Sequence, residues 1–140
     1  MIQPQTIQDR IHKLRDYLKK LKELSELNKE HFMSDFRNIE SSKYLLQVSI
    51  ECCLDMANHI IASERLRSPK DYADSFRVLH EKAVVPHDLI NNLIEMAKFR
   101  NRLVHIYWEI NDELIYEIIK EHLDDFNRFI QSVLKKFDLS

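Results

Sequence analysis

The chain of 140 residues contains no glycine at all. At the usual frequency of about 7%, roughly 10 would be expected. Glycine enters left-handed backbone without steric cost and lets a backbone approach a ligand closely. Its absence removes whole classes of site. A Gly-rich phosphate loop, a dinucleotide fingerprint and a G-x-S-x-G nucleophile elbow are all ruled out. Tight Asn-Gly hairpins are missing too, which argues against an all-β fold. What remains is a sequence suited to helices.

The apolar pattern agrees with that inference. Ile7, Ile11, Leu14, Leu18 and Leu21 follow one another at spacings of 4, 3, 4 and 3, an apolar stripe on one helical face. This predicts a first helix from about Thr6 to Lys29, with "TIQD" as its start signal. A second is predicted from a Ser34 cap to about Ala62, burying Phe36, Ile39, Leu46, Cys53, Met56 and Ile60. Ser68 and Pro69 read as the cap and first residue of a short third helix carrying Tyr72, Phe76 and Leu79. Pro86 opens a fourth, with Leu89, Leu93, Met96 and Val104 inside. Asn111 caps a fifth that holds Leu114, Ile118, Phe126, Phe129, Val133 and Phe137. No segment alternates with period two, and no repeat or linker divides the chain. The expected architecture is all-α: an antiparallel up-and-down bundle of four long helices plus one short helix, in a single domain over residues 1–140.

Composition bounds the setting. Hydrophobic residues make up 44% and charged residues 31%, enough for a real core in one domain. Uncharged apolar runs such as "AVV" and "LINNLI" fall far short of the roughly 20 residues that span a bilayer. "MIQPQTIQDRIHK" has no apolar region of the signal-peptide kind, so the cytoplasm is the expected location, with no membrane association. The net charge of −2 means that any nucleic-acid site is a local patch rather than a global field. Cys52 and Cys53 are neighbours pointing about 100° apart on a helix, a poor geometry for a disulfide, and read as reduced core thiols.

Metal chemistry finds little support. None of the seven histidines has a glutamate three residues before it, as di-iron bundles require. "HEKAV" lacks the second histidine of H-E-x-x-H. Glu51, Asp55 and His59 share one helical face at i, i+4 and i+8, as a ligand stripe or, more simply, a polar seam. A metal-binding bundle is therefore disfavoured, and no metal or cofactor is expected. Tyr17, Tyr44, Tyr72 and the phenylalanines are read as packing residues rather than base-stacking platforms.

One stretch stands apart: "KFRNRLVHIYWEI", residues 98–110. Arg100 offers a permanently charged planar fork for phosphate oxygens. His105 belongs to the residue type that takes or gives a proton near neutrality. Asn101 can orient either one, and Lys98 and Arg102 add positive charge, so the stretch reads as a local basic patch. These are sufficient tools for a phosphodiester in RNA, which carries its own nucleophile in the 2′-hydroxyl. Arg100 and His105 are five apart, rotated by about 140° on an ideal helix. A cleft between two copies, or a loosened helix end near His105, would bring such groups together.

"RNRLVHIY" resembles the R-N-x-x-x-H-x-Y motif of the HepT family, within the HEPN superfamily. From about residue 40 onward the likeness extends to "ECCLDMANHIIAS", "SPKDYADSFRVLHEKAVVP" and "EINDELIYEIIKEHL". The resemblance implies a HEPN-like helical bundle that forms a homodimer and acts as the endoribonuclease toxin of a toxin–antitoxin pair. It implies Arg100 and His105 as the catalytic pair and Asn101 as supporting residue, while the basic patch itself marks Lys98 and Arg102 as candidate RNA contacts. It also implies a minimal nucleotidyltransferase antitoxin, MntA-like, that silences the toxin by AMPylation of Tyr107. The alternative is a non-catalytic HEPN module that binds nucleotide or RNA and serves as partner and substrate of the nucleotidyltransferase.

Overall fold

The computed structural model describes residues 1–139, and its described residues form helices, turns and coil without a strand. Helix α1 (Pro4–Ser25) begins at Pro4, two residues before the Thr6 signal. Proline's fixed φ suits a first turn, and its missing N–H would be an orphan there anyway. The apolar stripe from Ile7 to Leu21 is buried throughout, as its spacing predicts. The helix stops at Ser25, short of the expected Lys29, and a separate short helix α2 (Lys29–Ser34) follows. Asn28 caps α2 by accepting from the His31 N–H at 2.8 Å, a turn signal that the periodicity of the flanking residues hides.

The long core helix α3 (Phe36–Ser63) is capped by Asp35, which accepts from the Arg37 N–H, and not by Ser34. Phe36, the first residue of the helix, is 73% exposed instead of buried, while Ile39, Leu46, Cys53, Met56 and Ile60 are buried as expected. Among the described residues, α3 is the one helix long and apolar enough to cross a membrane by length and composition, and 61% of its apolar window lies inside the bundle. Its apolarity is that of a central element packed by α1, α4, α5 and α6. Cys52 and Cys53 are buried there as free thiols.

Helix α4 (Tyr72–Glu81) starts three residues later than the Ser68–Pro69 signal, because Asp71 caps it by accepting from the Asp74 N–H at 2.8 Å. Helix α5 (His87–His105) follows Pro86 as expected and buries Leu89 and Leu93, while Val104 is exposed. The expected fifth helix is broken into α6 (Asp112–Glu121) and α7 (Asp124–Lys136) at His122 and Leu123. Asp124 and Asp125 are poor interior helix formers but favour a first turn, so the restart falls on them. The break lets α6 pack on α1 and α2 while α7 packs on α5. Ile115 and Ile119 take the buried face of α6, leaving Leu114 and Ile118 half-exposed.

Pairing across the bundle is antiparallel. Arg10 meets Asp55 and Gln3 meets His59 between α1 and α3. Arg100 meets Glu51 between α5 and α3, and Asp88 meets Arg128 between α5 and α7. Left-handed turns still occur without glycine: Arg65, Ala83 and Asp138 have φ of 54°, 60° and 55°. Each follows the C-cap of α3, α4 or α7. The next residue (Leu66, Val84 or Leu139) donates at 2.9 Å to the carbonyl of Ile61, Leu79 or Leu134. This is the Schellman arrangement, and each pair of linked residues is apolar, the contact that usually accompanies it.

Candidate active site

The stretch from Lys98 to Glu109 crosses the end of α5. The helix continues through His105 and stops at Ile106, where φ and ψ are −136° and 42°. Tyr107–Glu109 then form a single 3-10 turn. Val104, Ile106, Tyr107 and Trp108 are β-branched or aromatic, weak helix formers in succession. Buried Ile110 and the Asn111 cap of α6 fix the exit of the turn. The loosening falls after His105, so it does not bring Arg100 and His105 together within one chain. They remain five residues apart on regular helix, about 140° round its axis.

Arg100 is largely enclosed, with its side chain 16% exposed. Its Nη2 and Nε donate to Glu51 Oε2 at 2.8 and 3.0 Å. Nη1 donates to Asn101 Oδ1 at 3.3 Å. Its guanidinium carbon also lies 4.9 Å from the centroid of the Tyr72 ring, which is itself 43% exposed. Three of the five N–H donors of a guanidinium are thereby used, leaving two for an anion. Glu51 is held in turn by Gln47 Nε2 at 3.3 Å.

Lys98 and Arg102 do not join Arg100 in one patch, contrary to the reading of the stretch as a single basic surface. At about 100° per residue they lie roughly 200° from it, on the other side of α5, and His105 falls nearer to them. They line a groove of about 510 Å³ between α3, α5, α6 and α7, with Phe99, Leu114, Ile118 and Phe126 as apolar wall. Lys98 lies 3.6 Å from Glu95, and Arg102 lies 5.9 Å from the Phe99 ring centroid. The positive charge is thus divided between two faces of one helix.

Tyr107 sits in the 3-10 turn, 38% exposed, with Lys43 Nζ 4.5 Å from its ring centroid. Lys43 is 6% exposed and also lies 3.3 Å from Asp112 Oδ1. Next to Tyr107 the indole of Trp108 is 77% exposed.

One face of α3 therefore underlies the whole stretch: Lys43 beneath Tyr107, and Gln47 and Glu51 beside Arg100. Sequence reasoning weighed Glu51 only as part of a ligand stripe and passed over Lys43 and Gln47. Their signal was the spacing i, i+4, i+8 of polar residues on an otherwise apolar helix. The stripe itself has other occupations. Glu51 holds Arg100, Asp55 pairs with Arg10 at 3.4 Å, and His59 Nε2 accepts from the Gln3 N–H at 3.1 Å.

Residues 14–133 match the family model described as ribonuclease HepT-like. The chain is 35% identical over 102 residues to the mRNA nuclease HepT of Shewanella oneidensis, covering 73% of this chain and 77% of that protein. It is 25% identical over 134 residues to the tRNA nuclease HepT of Aphanizomenon flos-aquae, covering 94% of this chain and 90% of that one. Among solved structures it resembles the tri-AMPylated Shewanella oneidensis HEPN toxin in complex with MNT antitoxin. That match has a TM-score of 0.86 and 30% identity, over 93% of this chain and 97% of the other. A family match over most of the chain, a helical fold shared almost end to end and an R-N-x-x-x-H-x-Y stretch at the α5 end agree: the chain belongs to the HepT-like ribonuclease family.

Proposed function

We propose that this chain is the endoribonuclease toxin of a toxin–antitoxin pair in the cytoplasm, cutting RNA without a metal at a cleft between two copies. One observation carries the two-copy cleft: α5 stays helical through His105, so Arg100 and His105 of one chain diverge by about 140°. Two α5 ends facing one another across a twofold axis would supply an arginine and a histidine to the same phosphate. In that cleft a His105 imidazole takes the proton of the RNA 2′-hydroxyl, whose oxygen attacks the adjacent phosphorus. The bond from phosphorus to the 5′-oxygen breaks and that oxygen is reprotonated, leaving a 2′,3′-cyclic phosphate. Acid–base help of this kind contributes about 10²–10⁴-fold. The two free N–H groups of Arg100 stabilise charge on the non-bridging oxygens, Asn101 steadies the guanidinium, and Lys98 and Arg102 contact the RNA backbone on the flanking face.

Control runs through Tyr107. A nucleotidyltransferase antitoxin of the MntA type attaches AMP to its hydroxyl, adding bulk and negative charge two residues from His105 and repelling RNA. The relatives' names and the tri-AMPylated toxin complex support this reading.

The test is incubation with total RNA in EDTA, wild type beside His105→Ala, after intact mass shows no AMP attached. Cleavage by wild type alone, with cyclic phosphate ends, is the expected result; cleavage that EDTA abolishes would overturn the mechanism. One observation favours a second reading, a binding module without turnover: Glu51 already occupies the Arg100 fork. Under that reading wild type binds RNA and cuts none, and His105→Ala binds as well as wild type. Arg100→Ala then weakens binding and flattens its salt dependence.

A further inference from the structure

Lysine is almost never fully buried unless it is paired, because its ammonium is strongly hydrated. Lys43 is 6% exposed, on the central helix of the bundle. Its carboxylate partners, Asp112 at 3.3 Å and Glu40 at 3.8 Å, are each nearly half exposed. Asp112 lies in the first turn of α6, where the helix dipole favours a carboxylate without help from Lys43. These two carboxylates supply the pairing that a buried ammonium needs. The third contact is the face of Tyr107, 4.5 Å from Nζ to the ring centroid, well within cation–π range.

We propose that Lys43 is the positioning residue for nucleotidyl transfer to Tyr107, holding the ring and favouring its phenolate. The proposal rests on Tyr107 being the AMP acceptor. In the transfer the phenolic oxygen forms a bond to the α-phosphorus of ATP, which the nucleotidyltransferase supplies. The bond from that phosphorus to pyrophosphate breaks, pyrophosphate leaves with the electron pair, and the phenolic proton ends in solvent. Lys43 keeps its own proton throughout. The ammonium, 4.5 Å from the ring centroid, favours the negative charge that develops on this phenol as it loses its proton. The same ammonium then faces the single negative charge of the new phosphodiester.

The charged groups that bear on this contact are Lys43 itself, Glu40 of α3 and Asp112 of α6, both within 4 Å of its ammonium, and Glu109 and His105, each two residues from Tyr107 in the chain. The carboxylates act against phenolate and Lys43 acts for it, so single replacements have opposite signs. Tyrosine labelled at the ring ζ-carbon reports each of the five phenols by NMR titration, with Tyr107→Phe assigning the signal. Lys43→Met is expected to move the Tyr107 phenol titration to higher pH, and Lys43→Arg to restore it. Asp112→Asn, at a half-exposed position, is expected to move it to lower pH. A Tyr107 titration unmoved by Asp112→Asn, or by Lys43→Met where that variant folds, would overturn the proposal.

Transfer from Mg-ATP by a MntA-type nucleotidyltransferase, followed by intact mass, gives the second readout. Lys43→Met is expected to slow the reaction about tenfold at neutral pH and to close the gap as the phenol ionises, with the KM for ATP unchanged. Equal rates at neutral pH would also overturn the proposal. AMP mapped to a residue other than Tyr107 would overturn the acceptor assignment instead, with the titration arm unaffected.

Discussion

Replacing Glu51 by glutamine separates two things that Glu51 does to Arg100. Its carboxylate holds the guanidinium in place through bonds of 2.8 and 3.0 Å, and it cancels the charge that an RNA phosphate would meet. A phosphate on the two free N–H groups would sit about 7 Å from that carboxylate. At an effective dielectric of about 40, between surface and water values, the repulsion is about 1 kcal/mol. Glu51→Gln removes the repulsion while the amide oxygen still accepts from Arg100. RNA affinity should therefore tighten about fivefold. The fold should lose no more than about 1 kcal/mol, because the pair is partly solvent-exposed.

Glu51→Ala removes both charge and acceptor. It should gain similar affinity but lose turnover, about 10- to 100-fold, since a misplaced catalytic group forfeits the advantage of orientation. The assay is fluorescence anisotropy with a short single-stranded RNA in EDTA, using the His105→Ala background to prevent cleavage, beside turnover with His105 present. Weaker or unchanged RNA binding by folded Glu51→Gln would refute the reasoning. Full turnover by Glu51→Ala would show that Arg100 needs no such holder.

Two other predictions concern stability. Arg67 clamps the loop before α4 by donating to Asp74 at 2.8 and 3.0 Å and to Glu81 at 2.7 Å. These bonds, and the Lys70 N–H, hold the Asp74 carboxyl far below its usual range. A depressed carboxyl contributes stability above its unfolded pKa of about 4 and loses it as pH falls toward the folded value. Asp74→Asn should therefore cost about 1–3 kcal/mol at pH 7 and flatten the decline between about pH 5 and 3. Urea midpoints across that range check this, and an unchanged slope would count against the clamp. Ala83, at φ 60°, should accept glycine with a gain of up to about 1 kcal/mol, because its Cβ carries the left-handed penalty; a lower thermal midpoint for Ala83→Gly would contradict that.

The stripes that bury α1 and most of α3 were legible because a helix face repeats at a spacing the chain must respect. Helix ends were less legible, for local reasons. Asp35 and Asp71 each took a capping role from a nearby serine, Ser34 or Ser68, which moved the starts of α3 and α4 by one and three residues. The turns after α3, α4 and α7 carried no glycine to announce them, so the only mark was an apolar residue returning onto the last helical turn. The break at His122 was hidden because both halves keep apolar residues at plausible spacings, and only packing against different neighbours distinguishes them.

The site divides along the same line. Arg100, Asn101, His105 and Tyr107 lie within eight residues, so one stretch could disclose them together. Glu51 and Lys43 lie 49 and 64 positions from the residues they contact; their i, i+4, i+8 spacing marks a polar line on α3 but does not say which residues it meets. What sets those contacts is the register of α3 against α5. Leu46, Ile50 and Cys53 on one side, with Leu93 and Ala97 on the other, are all nearly or fully buried. Sliding α3 by one turn, about 5.4 Å, would drive that packing out of register. It would also carry Glu51 off Arg100 and Lys43 off Tyr107 at the same moment. The residues that orient the chemistry are therefore held by the apolar core beneath them. A core substitution that changes volume at Leu46 or Ala97 should disturb the arginine and the tyrosine together, whereas Glu51 and Lys43 substitutions should act on one each.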